Sequence, residues 1–146
     1  MRVFVIGERR FLLCLEKGEE LMETLRKFAG QKHIRAGMLR GLGAAISADL
    51  AFYDLEEKRY VPIPVTEETE VASMIGNLSL AEDGKPVAHV HTSLSCRDGR
   101  ALGGHIMKLV VGATLEIDLE VLPGALHRKL DPAVRLPLQH AYELPH

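Results

Sequence analysis

The sequence predicts an α+β domain with a mainly antiparallel sheet and one principal helix packed on it. Three observations predict this class: one strong amphipathic helix pattern, several runs of alternating apolar and polar residues, and turn signals between those runs. The 146 residues suit one domain spanning residues 1–146. Hydrophobic residues make up 47% and charged residues 26%, a balance typical of globular proteins.

The helix pattern lies between Gly18 and Ala29. Its apolar residues recur at i, i+4, i+7 and i+8 and form one stripe: Leu21, Leu25, Phe28 and Ala29. Two glutamates stand in the predicted first turn, and Arg26 and Lys27 stand in the last, as the helix dipole favours. Gly30 is predicted to end the helix in a left-handed conformation.

The other periodic segments predict strands: 2–6, 11–15, 46–53, 60–65, 71–80, 87–96 and 109–121. The clearest is 109–121, where seven apolar residues at period two predict one buried face. The tail from Pro123 holds four of the seven prolines, so we expect residues 123–146 to form an irregular C-terminal segment.

Composition excludes several classes of function. The net charge is −2 and only 5% of residues are aromatic, so a surface that neutralises phosphates or stacks on bases is not expected. No apolar run is long enough to cross a membrane, and the first residues do not form a signal peptide. The two cysteines, Cys14 and Cys96, read as reduced thiols, which predicts a cytoplasmic location.

Three of the seven histidines lie within seventeen residues: His89, His91 and His105. In a strand, the first two point to the same face, with Cα atoms roughly 6.5–7 Å apart. That spacing lets two imidazoles approach one ion, although a hydrogen-bonded surface pair would show the same spacing. Cys96 falls on the opposite face of the strand, so no thiolate is expected to complete a closed structural site.

Two Asp-Gly pairs, Asp83-Gly84 and Asp98-Gly99, predict the turns on either side of the strand that carries the histidine pair. A three-residue hairpin loop commonly ends in a left-handed glycine. If both loops take this form, the histidine pair faces Asn77 and His105 on the neighbouring strands, and all four side chains share one face. If either loop has two residues, its partner moves to the other face.

Three neutral imidazoles with one open position form the ligand set with which zinc polarises water or a bound oxygen ligand. Nickel, copper or iron would also accept three imidazoles. Four polar side chains are candidates for orienting the ligands: Asn77, Ser93, Glu70 and Glu116. Either glutamate could also serve as a general base, although spacing does not place them.

The residues of RGLG, 40–43, lack the third glycine of a dinucleotide loop, so their glycines indicate a turn or close packing.

The chain also carries a series of short motifs in a fixed order. They are Gly18-Glu19-Glu20-Leu21, Gly41-Leu42-Gly43-Ala44, Tyr53-Asp54, Tyr60, Glu70 to Asn77, Asp83-Gly84-Lys85-Pro86, His89-Val90-His91, Asp98-Gly99-Arg100, Gly103-Gly104-His105, Ala113-Thr114-Leu115-Glu116 and Arg128-Lys129-Leu130-Asp131. In these motifs, over nearly its whole length, the chain resembles the PPC domain family of plants and prokaryotes.

The resemblance implies an α+β fold on an antiparallel sheet, assembled as a homotrimer. It also implies that His89, His91 and His105 are metal ligands, as in prokaryotic members with this pattern. Plant members join the domain to AT-hook motifs that bind DNA, and this chain has no such hook. A DNA-binding role is therefore expected from the family label only.

Three functions follow as expectations. The first is a zinc-binding homotrimer that binds or transforms a small oxygen-rich ligand, with Glu70 or Glu116 as general base. The second is a non-catalytic module for oligomerisation or protein interaction, whose interface is built by the apolar face of 109–121 and by Glu70 to Asn77. The third is DNA binding. Neither a membrane nor, from composition, a nucleic acid is an expected partner.

Overall fold

The computed structural model describes residues 1–144 and contains nine strands and one helix. Their bounds are β1 (Arg2–Gly7), β2 (Arg10–Glu16), α1 (Leu21–Gln31), β3 (Gly37–Asp54), β4 (Arg59–Val65), β5 (Thr69–Leu80), β6 (Pro86–Ser95), β7 (Ala101–Val121), β8 (Ala125–Asp131) and β9 (Leu136–Glu143). The predicted class, a sheet with one principal helix, is confirmed. Within these residues, the single helix is too short and too polar to cross a membrane.

All nine strands belong to one sheet, in the order β1-β2-β7-β3-β5-β8-β9. Strand β4 pairs with β3, and β6 pairs with both β5 and β7. Every pairing is antiparallel except the short contact between β5 and β8. Because β3, β5, β6 and β7 pair in a closed ring, the sheet curls around instead of remaining flat.

Strands β3 and β7 are 18 and 21 residues long, much longer than the predicted segments within them. Two glycines let β3 continue beside β7 at this point. The backbone of β7 lies so close to them that a side chain would have no room. A Cβ at Gly41 would lie 2.7 Å from the Glu116 carbonyl oxygen, and one at Gly43 only 2.2 Å from that of Thr114. The RGLG glycines therefore serve close packing inside a strand, and the alternative of a turn is wrong.

Helix α1 begins after Glu20, whose carboxylate accepts hydrogen bonds from the backbone N–H groups of Met22 and Glu23. The helix runs past Gly30 to Gln31, and the left-handed residue that follows is His33, with φ 53°. The prediction that Gly30 ends the helix is therefore wrong. The predicted basic last turn is also absent, because the helix is shifted by two to three residues towards the C terminus.

The core lies between α1 and the concave side of the sheet. The helix contributes its predicted stripe, and β7 contributes six side chains that are 0% exposed: Ile106, Leu109, Val111, Leu115, Ile117 and Leu119. The predicted buried face of 109–121 is confirmed at these positions, whereas Ala113 is exposed and Val121 is half-buried. It is covered within the same chain, so the hypothesis that this face builds a subunit interface is wrong.

The C-terminal segment is not irregular. Residues 125–143 form the hairpin β8–β9, with Arg135 in the left-handed region at its turn. Pro137 is tolerated in β9 because that strand lies at the edge of the sheet. The expected irregular segment 123–146 is therefore corrected to a hairpin as far as residue 144, and residues 145 and 146 lie outside the described residues.

Candidate metal centre

Two tight turns set the register of the strands that carry the histidines. The backbone N–H of Ala81 donates to the Lys85 carbonyl at 2.9 Å, and that of Cys96 donates to Arg100 at 2.8 Å. The glycine of each Asp-Gly pair is left-handed, with φ of 79° and 84°. Both loops therefore have three residues, as predicted.

The predicted register is confirmed. His91 pairs with His105 across β6 and β7, and His89 pairs with Asn77 across β6 and β5. The three imidazoles each offer one nitrogen within 4.8 Å of the others, and their ring centroids are 5.0–5.2 Å apart. The Nε2 atoms of His89 and His91 are 3.1 Å apart. The fold thus brings together three nitrogen donors that are up to sixteen residues apart in sequence.

Burial and nearby positive charge lower the pKa of two of the rings, His89 and His105. Burial lowers the pKa of His89 to about 4, with help from the positive charge of Arg128 and from the two other histidines. Burial also lowers the pKa of His105, with smaller effects from His91 and Arg128. Neutral imidazoles are the form that binds a metal ion, so these two rings meet that requirement at neutral pH.

Arg128 on β8 is a residue of the candidate site that the sequence patterns did not connect to the histidines. It is 8% exposed and its guanidinium donates four hydrogen bonds. The acceptors are Ser79 Oγ, the Pro137 carbonyl oxygen and Asn77 Oδ1, each at 2.8 Å, and His89 Nδ1 at 3.1 Å. The expected orienting residue Asn77 thus acts through Arg128. The resemblance placed Arg128 in a closing motif, but no local pattern linked it to the histidines.

Two tyrosines form a wall beside the cluster. The Tyr60 ring lies 5.1 Å from the His105 ring at a tilt of 30°, and Tyr53 packs edge-on against Tyr60. The hydroxyl of Tyr53 donates to the carbonyl oxygen of Val134 in the β8–β9 turn. The C-terminal hairpin is therefore fixed against the site from two sides, by Tyr53 and by Arg128.

One buried ring nitrogen of the cluster has no hydrogen-bond partner among residues 1–144. His105 Nδ1 is buried and makes no hydrogen bond within residues 1–144. Buried polar atoms in folded proteins are nearly always satisfied, so this nitrogen calls for a ligand. A metal ion, a water molecule or a polar ligand could each satisfy it.

The structure does not bring either glutamate to the imidazoles. Glu70 on β5 pairs with Ser95, four residues along β6 from His91, which corresponds to about 13 Å. Glu116 is eleven residues along β7 from His105, which is roughly 36 Å of strand length. Ser93 shares the face of His91 but makes no side-chain hydrogen bond to a described imidazole. Within one chain, neither glutamate is placed to act as a general base at this site.

Comparisons with known proteins agree with the fold and the motifs. The model of the Plants and Prokaryotes Conserved (PCC) domain matches residues 5–123. A plant- and prokaryote-conserved (PPC) protein from Pyrococcus horikoshii is 30% identical, with a TM-score of 0.85 over 97% of this chain and 100% of that chain. The metal-containing protein AF0104 from Archaeoglobus fulgidus is 33% identical, with a TM-score of 0.84 and the same coverage.

The chain also matches part of a longer curated protein. It is 31% identical over 128 residues to the bifunctional protein GlmU of Synechococcus sp. (strain JA-3-3Ab), covering 86% of this chain and 19% of that protein. The chain therefore spans only about a fifth of that relative's length. The family match over most of the chain, together with the fold it shares with solved members, shows that this chain belongs to the Plants and Prokaryotes Conserved (PCC) domain family.

Proposed function

We propose that this chain is a metalloprotein in which His89, His91 and His105 hold one divalent ion, with zinc as the first candidate. The observation that carries the proposal is the convergence of three imidazole nitrogens within 4.8 Å, from two adjacent strands. The proposed role is binding or conversion of a small oxygen-rich ligand. The description of AF0104 as metal-containing supports the first part of the proposal.

The residues fit such an ion. Three imidazoles are a donor set that zinc accepts, as do nickel, copper and iron. The pKa of His89 is lowered to about 4 and that of His105 is lowered as well, and both shifts favour the neutral ring that binds a metal. With three protein ligands, a zinc ion supplies Lewis acidity towards water or an oxygen ligand at its remaining position.

The chain's own residues surround and shield the donors. Arg128 lies 3.1 Å from Nδ1 of His89, and Nε2 of the same ring faces His91. A neutral His89 that binds an ion through Nε2 carries its proton on Nδ1, so Arg128 then acts there through its charge and not through a hydrogen bond to that nitrogen. Tyr60 covers one side of His105 and excludes water there. Since neither Glu70 nor Glu116 is near, we propose no carboxylate base from within one chain.

Metal analysis tests this proposal. Protein purified after growth with zinc and dialysed against metal-free buffer is expected to retain close to one ion per chain. His91→Ala removes an exposed ligand, so we expect it to fold normally and to lose the ion. His140→Ala removes an exposed histidine of β9 and is the matched control. Wild-type protein without stoichiometric metal would sink the proposal.

We also propose that the chain assembles as a homotrimer. Such an assembly would fit the alternative function as well, a non-catalytic oligomerisation module. The convex face of β3 and β5 exposes three large apolar side chains, Met38, Leu42 and Ile75, at 43%, 59% and 61%. Such a group of apolar residues is typical of a protein contact. Ile75 belongs to the Glu70 to Asn77 segment predicted for the interface.

Light scattering on the same proteins separates the two functions. A metalloprotein whose assembly is independent of the ion keeps its trimeric mass in His91→Ala, whereas a structural metal would give smaller species.

For the third candidate, DNA binding, the net charge of −2 offers no support. A duplex DNA shift that weakens steeply with salt would be needed to revive it.

A further inference from the structure

The candidate metal centre contains a buried positive charge that the metal does not require. The Arg128 guanidinium is 8% exposed and contacts Nδ1 of His89, while Nε2 of the same ring faces His91. A divalent ion held by the three histidines would therefore lie one imidazole ring away from a fixed cation. Like charges at such a distance repel each other strongly in a partly buried site.

No acidic side chain compensates this charge. The donor cluster among residues 1–144 contains only the three histidines. The electrostatic neighbours that depress the pKa of His89 and His105 are Arg128 and other histidines, with no carboxylate raising either value. The acceptors of the Arg128 hydrogen bonds are all neutral groups, a hydroxyl, a carbonyl, an amide and an imidazole.

Buried charges in proteins are normally paired, and an unpaired one is costly. With a divalent ion in place, the site would carry a formal charge of three and no counter-charge from the described chain. An anion bound in the site would supply the negative charge that this chain does not. Three neutral imidazoles add none, and the nearest candidate glutamate is about 13 Å away along the sheet.

We propose that the ligand of this site is a small oxyanion, a carboxylate or phosphate group, and that Arg128 is the positioning residue that makes the metal and the anion bind cooperatively. The inference rests on the proposed metal centre and narrows its oxygen-rich ligand to an anionic one. A neutral sugar or alcohol would leave the charge uncompensated. Tyr60 and the β8–β9 hairpin cover one side of the histidine cluster. The space that remains for a ligand is therefore restricted, which favours a small one.

The test measures the affinity for Zn²⁺ by competition with a chromophoric chelator, with and without saturating acetate or inorganic phosphate. By linkage, an anion that binds better next to the metal raises the metal affinity by the same factor. We expect about a tenfold rise with at least one of the two anions, in the range typical of coupled sites. Acetamide, a neutral analogue of acetate, is expected to change nothing.

Variants then assign the effect to Arg128. In Arg128→Gln the coupling is expected to vanish, and in Arg128→Lys part of it returns because the charge is kept. Arg35→Gln, which removes an exposed arginine paired with Glu143, is the matched control and keeps the full coupling. Circular dichroism shows whether each variant is folded, and the wild-type comparison of acetate with acetamide stands even if one is not.

The outcomes separate the two proposals. Wild-type protein that binds no zinc would overturn the metal centre and this inference with it. Zinc binding that is indifferent to both anions would overturn only the inference. Coupling that survives in a folded Arg128→Gln would show that the anion is held by other residues, and would remove the role assigned to Arg128.

Discussion

Arg128 and Asp118 each join several strands through charged hydrogen bonds, but water reaches them differently. Arg128 is buried and its partners are neutral, so its charge faces the histidine cluster. Asp118 on β7 lies on the outer face between two arginines, accepting from Arg10 at 2.6 and 2.8 Å and from Arg40 at 2.8 and 3.1 Å. The buried group belongs to the site, and the outer group ties β2, β7 and β3 together.

The outer group predicts a pH effect on stability. Hydrogen bonds from Arg10 and then Arg40 lower the pKa of Asp118 from 3.8 to about 2. A carboxyl whose pKa is lower in the folded state stabilises the fold above pH 3.8, and this contribution disappears as the pH falls towards 2. Asp118→Asn should therefore lower the free energy of unfolding at pH 7 by about 1 kcal/mol, discounted for solvent screening.

Urea unfolding of Asp118→Asn and wild type at several pH values checks this. The difference between the two proteins is expected to hold from pH 7 to pH 5 and to narrow below pH 4. A difference that stays constant down to pH 3 and below would show that Asp118 acts through packing and not through its charge.

At the scale of elements, glycine plays opposite parts in β3 and in α1. In β3, Gly43 lets the Thr114 backbone of β7 approach so closely that any side chain would collide with it. In α1, Gly30 lies inside the helix, is exposed, and has open space where a Cβ would stand. The first glycine is required by packing, whereas the second weakens the helix.

Alanine substitutions at these two glycines should therefore change stability in opposite directions. Gly43→Ala is expected to lower the free energy of unfolding by about 3 kcal/mol or more, because backbone cannot move aside as a side chain can. Gly30→Ala is expected to raise it by about 0.5–1 kcal/mol, the usual gain from alanine in a helix. Thermal unfolding measures both. If Gly30→Ala were instead less stable than wild type, Gly30 would be in a left-handed conformation that ends the helix, as the sequence pattern predicted.

For the whole molecule, the candidate metal centre is a meeting point of four strands. Residues of β5, β6, β7 and β8 converge there, and the β8–β9 hairpin is fixed over it by Arg128 and Tyr53. All three proposed ligands come from one chain. A bound ion should thus stabilise the fold of each chain without joining one chain to another.

Chelation tests this arrangement. Removing the ion with EDTA is expected to lower the melting temperature by about 5–10 °C, as loss of a ligand present at a hundredfold excess over its dissociation constant would. The molar mass from light scattering is expected to stay the same. His91→Ala, already without the ion, should show no further decrease with EDTA. Dissociation of the assembly on chelation would mean that subunits share the metal.

The sequence by itself determined the features that depend on neighbouring residues. Alternation and turn chemistry predicted most strands, both three-residue loops and the register that faces His91 with His105, because a loop of fixed length fixes which residues pair. The apolar stripe of the helix also depends only on neighbouring residues and was predicted. The end of the helix was not predicted correctly, because α1 continues through Gly30 to Gln31 and the left-handed residue is His33.

Only the tertiary structure decided the features that join distant segments. Arg128 reaches His89 across 39 residues, because β8 adds to the sheet beside β5. Pairing of β8 with β9 turned the proline-rich tail into a hairpin, and the length of β7 carried Glu116 far from the histidines. Such contacts depend on which strand edges meet after the chain has folded, and no short-range pattern records that choice.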